Sequence, residues 1–344
     1  MGRVILALGL FVAFCCGLAA RADVLRLRNG QSVEGKVERI EADKLVIQTK
    51  DGPKEFTREQ VKSFSVQRPG PNGKLETVEL QFKPKPVVMP FVEETEHYVI
   101  KTDVSEKAAK NAGKAMEQLY KVFTEIFRPE NDKVDSKTEV VIFAKEEDFR
   151  RLAGLDATGA PKGQLGFFRA MPDGQTQIAT YRREGDEFGT MNTLYHEATH
   201  QFLLLVMGGP KKAPPLWLNE GLAVYFENSR WENGVFKTGI IPNERLAVLQ
   251  KALRAGLCVH LADLMKRGKD TYDALCYSES WSLIYFFIKS DGGAHAKRFA
   301  EYFKMLREGK DPDEAFKTCF TADLDKLERA WKKFVLEIKL PPKK

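Results

Sequence analysis

Met191-Asn192-Thr193-Leu194-Tyr195-His196-Glu197-Ala198-Thr199-His200 runs on into Gln201-Phe202-Leu203-Leu204-Leu205-Val206-Met207 and stops at Gly208-Gly209-Pro210. The stretch reads as one helix with a glycine stop. Residues four apart on a helix share a face, so the imidazoles of His196 and His200 point the same way, one turn apart. Both can reach one ion. Glu197 is rotated by about 100° from His196. It cannot easily join the same coordination plane, but it reaches a water on that ion.

A tetrahedral metal site that does chemistry takes three protein ligands and keeps one position open. Nineteen residues separate His200 from Glu220, within Trp217-Leu218-Asn219-Glu220-Gly221-Leu222-Ala223. That suffices for a turn and a second helix running back beside the first. Glu220 then becomes the third ligand. Two imidazoles and one carboxylate suit Zn²⁺, so one catalytic zinc is the expected cofactor.

Outward from this core the order of elements points to an α+β fold. A strand is expected over His97–Thr102. An amphipathic helix follows over about Ser105–Phe127, with Ala108, Ala112, Ala115, Met116, Leu119, Phe123 and Ile126 at three-to-four spacing. Asp103, three residues before Glu106, is its candidate N-cap. Further strands are expected at Glu139–Ala144, Gln164–Phe168 and Gln175–Tyr181, with a short helix at Lys145–Ala153. From residue 188 onward the pattern is helical. Strands first and helices after is α+β rather than alternating α/β.

Residues 23–67 alternate with period two, and Asn29-Gly30 and Asp51-Gly52 are hairpin turns. Four or five short strands suggest a small β-barrel, Src-homology-3-like, as a docking module for an unknown partner. Pro, Gly and Asn crowd residues 69–73, so 68–90 is expected as a linker, with one strand possible in 74–83. The main domain is expected over 91–340.

The chain has 344 residues and a formal charge of +6, with 43% hydrophobic and 30% charged residues. That is globular composition, not disorder. Arg3, then an apolar run from Val4 to Ala20, then Ala20-Arg21-Ala22, read as an export signal over 1–22. The protein is expected to be secreted or to reside in the periplasm or cell envelope. Without those residues the charge is +4, interspersed, with no basic stripe for nucleic acid. No later stretch is long and apolar enough for stable membrane insertion. Three cysteines remain, Cys258, Cys276 and Cys319; an odd count rules out a purely intramolecular disulfide framework. His97, His260 and His295 have no ligand-spaced partner in the sequence.

His196-Glu197-x-x-His200 with Asn219-Glu220-x-x-Ala223 resembles the gluzincin group of zinc metallopeptidases, which includes thermolysin and the aminopeptidase N relatives. Over residues 91–340 the chain is similar to peptidase-MA-like secreted proteins, with a zincin-like domain. The resemblance implies a zinc-dependent peptidase acting on peptides or proteins, with Glu197 as general base. It also implies an oxyanion donor from a later helix. Tyr277, in Tyr277-Ser278-Glu279-Ser280, matches best, with Tyr272, Tyr285 and Tyr225 as competitors. In zincins the strand before the motif helix is a sheet edge to which substrate adds. That places Gln175, Gln177, Ala179 and Tyr181 in substrate binding. Two departures stand out. Thermolysin-like enzymes carry an acid four residues after the ligand Glu, supporting a metal-binding His; here Val224 stands there, with Asn192 or Glu227 as substitutes. The Gly-x-Met-Glu-Asn run that holds a substrate amine in the aminopeptidases is absent, which favours an endopeptidase. A catalytically silent zincin scaffold that binds a cell-envelope partner is the alternative function.

Overall fold

The computed structural model describes residues 22–41, 44–58, 60–69, 75–81, 87–127, 137–153, 163–171, 174–186, 188–209, 212–233 and 235–340. The expected export signal lies outside them up to Arg21. Two compact units divide between Pro86 and Val87.

The first unit is an antiparallel sheet of β1 (Asp23–Leu27), β2 (Ser32–Ile40), β3 (Lys44–Thr49), β4 (Gly52–Thr57), β5 (Val61–Pro69) and β6 (Leu75–Gln81), in the order β4-β3-β2-β1-β5-β6. Gly30 turns the first hairpin at φ 87°, a backbone conformation that costs glycine nothing. Leu25, Leu27, Leu45, Ile47, Val61, Phe64 and Val66 form its core. The strand allowed within 74–83 is present as β6, which pairs with β5 from Ser63–Gln81 to Pro69–Leu75. One expectation changes. The expected barrel is not closed: among the described residues no ladder joins β4 to β6. β5 already bonds β1 on one side and β6 on the other, so it has no edge left to meet β4.

The second unit opens with β7 (Phe91–Glu94), β8 (Tyr98–Thr102), α1 (Glu106–Phe127), β9 (Thr138–Phe143), α2 (Glu146–Leu152), β10 (Gly166–Ala170) and β11 (Thr176–Tyr181). The sheet order is β10-β11-β9-β8-β7. β8, β9 and β11 run parallel, and β7 and β10 are antiparallel edges. The cap of α1 differs from expectation. Ser105 Oγ accepts from the Ala108 N–H at 3.1 Å. Asp103 instead accepts from the Ala144 N–H at 2.6 Å, tying the end of β8 to that of β9.

The helical part comprises α3 (Gly189–Val206), α4 (Leu216–Glu227), the hairpin β12 (Arg230–Glu232) and β13 (Val235–Lys237), α5 (Asn243–Arg254), α6 (Leu261–Leu264), α7 (Ala274–Lys289), α8 (Ala294–Arg307), α9 (Pro312–Cys319) and α10 (Leu324–Glu337). No helix among the described residues is long and apolar enough to cross a membrane.

α3 is held against the sheet by packing and by one polar chain. Phe202 meets the rings of Phe123 at 4.7 Å and Tyr120 at 5.4 Å, on α1. Buried Gln201 donates to Thr138 Oγ1 at 3.0 Å, and Thr138 bonds Thr176 at 2.7 Å. An amide so bonded inside a core fixes rotation as well as distance. α4 lies beside both α3 and α7. At Gly221 a β-carbon would sit 2.7 Å from the Ser280 carbonyl oxygen, so only glycine permits this approach of α4 to α7. The described cysteines are all free thiols.

Candidate active site

α3 and α4 bring the three candidate ligands together. Oε2 of Glu220 lies 3.6 Å from Nε2 of His196 and 3.6 Å from Nε2 of His200. The two rings are 4.8 Å apart, nearly perpendicular at 83°. These atoms form a group with metal-binding spacing. The side chains keep 19%, 15% and 11% of their surface, enough for water or substrate to reach an ion between them.

The remote nitrogens are also engaged. His196 Nδ1 lies 3.2 Å from Glu227 Oε2, and His200 Nδ1 lies 3.0 Å from Asn219 Oδ1. With an acceptor at each Nδ1, a ring bound to a metal keeps its proton on that side and presents the Nε2 lone pair to the ion. Glu227 is therefore the acid that stands in for Val224, whose side chain is fully buried in the core. Asn192 does not serve: its amide donates to the Glu227 carbonyl oxygen at 3.0 Å when oriented to satisfy both ends. Asn219 was not singled out by sequence reasoning, although its place next to Glu220 was the available signal. Arg245 Nη2, on α5, approaches Glu227 Oε1 at 3.8 Å.

The electrostatics suit a cation. Burial disfavours a charged His196 ring, but Glu220, Glu227 and Glu197 outweigh it and raise the pKa to about 10. Burial likewise raises the Glu220 pKa, and the two imidazoles, with Lys269 as a smaller contributor, overcome it and hold the carboxyl below its ordinary range. The carboxylates of Glu220, Glu227 and Glu197 around the His196 ring favour positive charge at this place. The donor set, two imidazole nitrogens and a carboxylate, fits Zn²⁺.

A cavity of about 360 Å³ opens over these groups. Glu197 and Tyr277 both line it. Burial raises the Tyr277 pKa, and the carboxylates of Glu220 and Glu197 add to the effect. The competing tyrosines are committed elsewhere. Tyr272 bonds Ser280 and packs edge-on against Tyr277. Tyr225 and Tyr285 sit among core aromatics.

The expected substrate strand needs correction. β11 is hydrogen-bonded on both sides, to β9 and β10, and its residues are buried throughout. Gln177 bonds Glu139, Ala179 is fully buried, Tyr181 packs on Phe149, and the Gln175 carbonyl accepts from Met171. None of the four offers a free backbone edge. The sequence placed the strand nearest α3 at the edge, but the chain inserts β10 outside it. Gly166, Phe167 and Phe168 of β10 line the cavity. A β-carbon at Gly166 would meet Thr193 Cγ2 at 2.4 Å and Glu197 Cγ at 3.3 Å, so this edge runs directly beside the candidate base.

A second cluster, Glu96, His97 and Glu117, also has metal-binding spacing. Both oxygens of Glu117 are already taken by His97, from its N–H at 2.8 Å and its Nδ1 at 2.7 Å. His97 also stacks on Tyr120 at 3.7 Å. This histidine anchors the start of β8.

Two imidazoles one turn apart on α3, a glutamate from α4 and a glutamate beside the first histidine define a gluzincin-type zinc peptidase site. Residues 170–337 match the family model of the Peptidase MA superfamily. Among solved structures nine chains match. One is a two-domain M1 zinc metallopeptidase crystallised with L-arginine, similar at 15% identity and a TM-score of 0.41 over 90% of this chain and 76% of its own. No curated protein matches.

Proposed function

We propose that this is an exported zinc-dependent endopeptidase, with His196, His200 and Glu220 as ligands, Glu197 as general base and Tyr277 as oxyanion donor. The observation that carries the reading is the joint placement of Glu197 and Tyr277 in one cavity with a three-ligand site whose two Nδ1 atoms are already held. Zinc, when bound, lowers the pKa of water and polarises a scissile carbonyl. Glu197 takes the proton of the attacking water and delivers it to the leaving amine. The Tyr277 hydroxyl donates to the oxygen on which charge develops. The outer edge of β10 adds substrate backbone as a further strand, which supports affinity with little sequence preference.

An endopeptidase fits because the sequence lacks the amine-holding run of the aminopeptidases. The silent-scaffold alternative drew on the missing acid at Val224, and Glu227 on His196 removes that ground. Residues 1–22 supply export, and the first unit, with its Src-homology-3-like turn pattern, serves as a docking module. The test is cleavage of a quenched peptide library by the zinc-loaded protein and its Glu197→Gln variant. Chelator-sensitive cleavage lost in the variant, at equal zinc content, supports catalysis by the proposed base. Equal cleavage by both would overturn it.

A further inference from the structure

The described residues lining the cleft include two carboxylates, Glu197 and Glu220, and one basic side chain, Lys269. Lys269 begins the 3₁₀ turn Lys269–Thr271 that leads into α7. The turn is braced on several sides. Arg267 Nη1 donates to the Thr271 carbonyl at 2.8 Å, Thr271 Oγ1 donates to the Gly268 carbonyl at 3.2 Å, and the Tyr272 hydroxyl bonds Ser280 on α7. The backbone of Lys269 is thus fixed relative to the helix that carries Tyr277. The neighbouring acid Asp273 is occupied in capping α7, accepting from the N–H groups of Leu275 and Cys276 at 2.9 and 3.0 Å. Among the described residues no carboxylate lies within ion-pair distance of the Lys269 ammonium, yet its field reaches Glu220.

The charge balance of the cleft follows. Resting on the zinc-peptidase reading, a divalent cation is matched by the two carboxylates, and Lys269 remains as the uncompensated charge. The rest of the wall is apolar or neutral, including Phe167, Phe168, Leu203 and Pro214. A fixed positive group in such a cleft attracts anions and repels cations.

We infer that Lys269 is a specificity-determining residue that binds a carboxylate of the substrate, so that this peptidase prefers peptides with an acidic group close to the scissile bond. Two sources share that chemistry, an Asp or Glu side chain and a free C-terminal carboxylate. The first would make the enzyme an endopeptidase selective for acidic sequences. The second would confine it to cleavage near chain ends.

The experiment uses the zinc-loaded full-length protein and three sets of quenched peptides. One set is neutral with an amidated C-terminus. A second carries one Glu at each position in turn, also amidated. A third is neutral with a free carboxylate at increasing distance from the cleavage site. The expected wild-type result is a preference of about tenfold in kcat/KM for one of the two acidic sets, the scale of one charge-assisted hydrogen bond in a partly desolvated cleft. Lys269→Gln should abolish that preference, read within each protein as the ratio of kcat/KM for the acidic set to that for the neutral set. The change should appear in KM more than in kcat, because the contact forms with substrate as well as transition state. Lys269→Glu should turn the preference into discrimination against the acidic set. Added salt should shrink the wild-type preference. Binding of the same peptides to zinc-loaded Glu197→Gln protein, with and without Lys269→Gln, gives a readout independent of turnover. An acidic preference unchanged by Lys269→Gln, in cleavage or in binding, would overturn the inference while leaving the peptidase reading intact. Absence of all cleavage by the wild type would overturn the peptidase reading, and the binding arm would still decide whether Lys269 selects carboxylates.

Discussion

Glu227→Ala removes the carboxylate 3.2 Å from His196 Nδ1 and the partner that Arg245 approaches at 3.8 Å. Nothing is taken from the three ligand atoms themselves. The loss is in how firmly one imidazole is held with its lone pair outward. A buried hydrogen bond to a charged group contributes about 1.5–3 kcal/mol. The Glu227 side chain retains 23% of its surface, so solvent screens part of that. The lower half of the range translates to about 12- to 40-fold weaker zinc binding at about 1.4 kcal/mol per decade, consistent with the usual cost of losing such a supporting partner. Asn219→Ala provides the internal comparison. It deletes a neutral acceptor from His200 Nδ1, worth about 0.5–1.5 kcal/mol, or about 2- to 10-fold. Glu227→Gln keeps an acceptor oxygen without the charge and should fall between wild type and Glu227→Ala. The assay is competition for zinc against a chelator of known affinity at fixed pH, with circular dichroism and thermal unfolding as controls for the fold. An unchanged zinc affinity in a folded Glu227→Ala protein would refute the reasoning. So would a larger loss from Asn219→Ala than from Glu227→Ala.

Gly166→Ala should lower stability by about 1–3 kcal/mol through overpacking, and kcat/KM by more than that loss accounts for, because the new methyl group presses on Thr193 and Glu197. Adding Thr193→Ser removes the closest clashing atom and should restore part of both; no recovery in the double variant's kinetics would contradict this. Gly221→Ala should destabilise by a similar about 1–3 kcal/mol, since the 2.7 Å contact is with a backbone oxygen that cannot rotate away; an unfolding midpoint equal to wild type in denaturant would count against it. Glu279 is fully buried, and burial pushes its pKa up to about 7, against the lowering pull of Cys258 and the Val259 N–H. Its folded pKa lies above the unfolded one, so the fold favours the protonated acid. The stabilisation is complete below about pH 4.5 and is lost as pH rises through about 7, by about 3 kcal/mol at most. Relative to Glu279→Gln, the wild type should therefore lose unfolding free energy between pH 5 and 8.5, and a constant difference across that range would show that Glu279 does not titrate there.

Legibility in the sequence followed the range of the interaction. The 3.6-residue spacing at 106–127 and the His-Glu-x-x-His run are local, and both helices stand where the pattern put them. α8 and α10 fall within the stretch after residue 188 that reads as helical. Strand positions were legible from alternation and turn residues, but strand neighbours were not. Nothing within Gln175–Tyr181 reveals that β10 folds back outside it. Its continuous burial is the mark of an interior strand, and the apolar residues at Ile178, Ala179 and Tyr181 were a faint sign of this. In the first sheet the hairpins at Asn29-Gly30 and Asp51-Gly52 were visible and a strand within 74–83 was allowed, whereas β1 taking the other edge of β5, Val24 opposite Ser65, is a long-range choice. The cap of α1 was decided by a contact across 41 residues, from Ala144 to Asp103. No local pattern carries such information.

The replacement of one supporting acid by another has a geometric reason in the antiparallel course of α3 and α4. His200 faces Asn219 and Glu220, whereas His196, one turn earlier on α3, faces Glu220 and Glu227, later on α4. A supporting acid for His196 must therefore lie C-terminal to Glu220, on the same face of α4. Four residues on, the direction has turned about 40° and advanced about 6 Å; seven residues on, it has returned to within about 20° and advanced about 10 Å. Both positions can aim at the ring, from different heights. In this chain the nearer position, Val224, belongs to the hydrophobic core. Glu227 takes the farther one, at the end of the helix, where the Arg245 guanidinium on α5 approaches its second oxygen. The acid has moved to the helix terminus and gained a cationic neighbour. A carboxylate at a helix C-terminus meets an unfavourable dipole, and Arg245 offsets it. Arg245→Ala should then weaken zinc binding through Glu227, by less than Glu227→Ala itself. In the Glu227→Ala background the same change should have almost no further effect. Equal and additive losses from the two substitutions, measured as a double-mutant cycle in zinc affinity, would show that Arg245 acts on the site by a separate route.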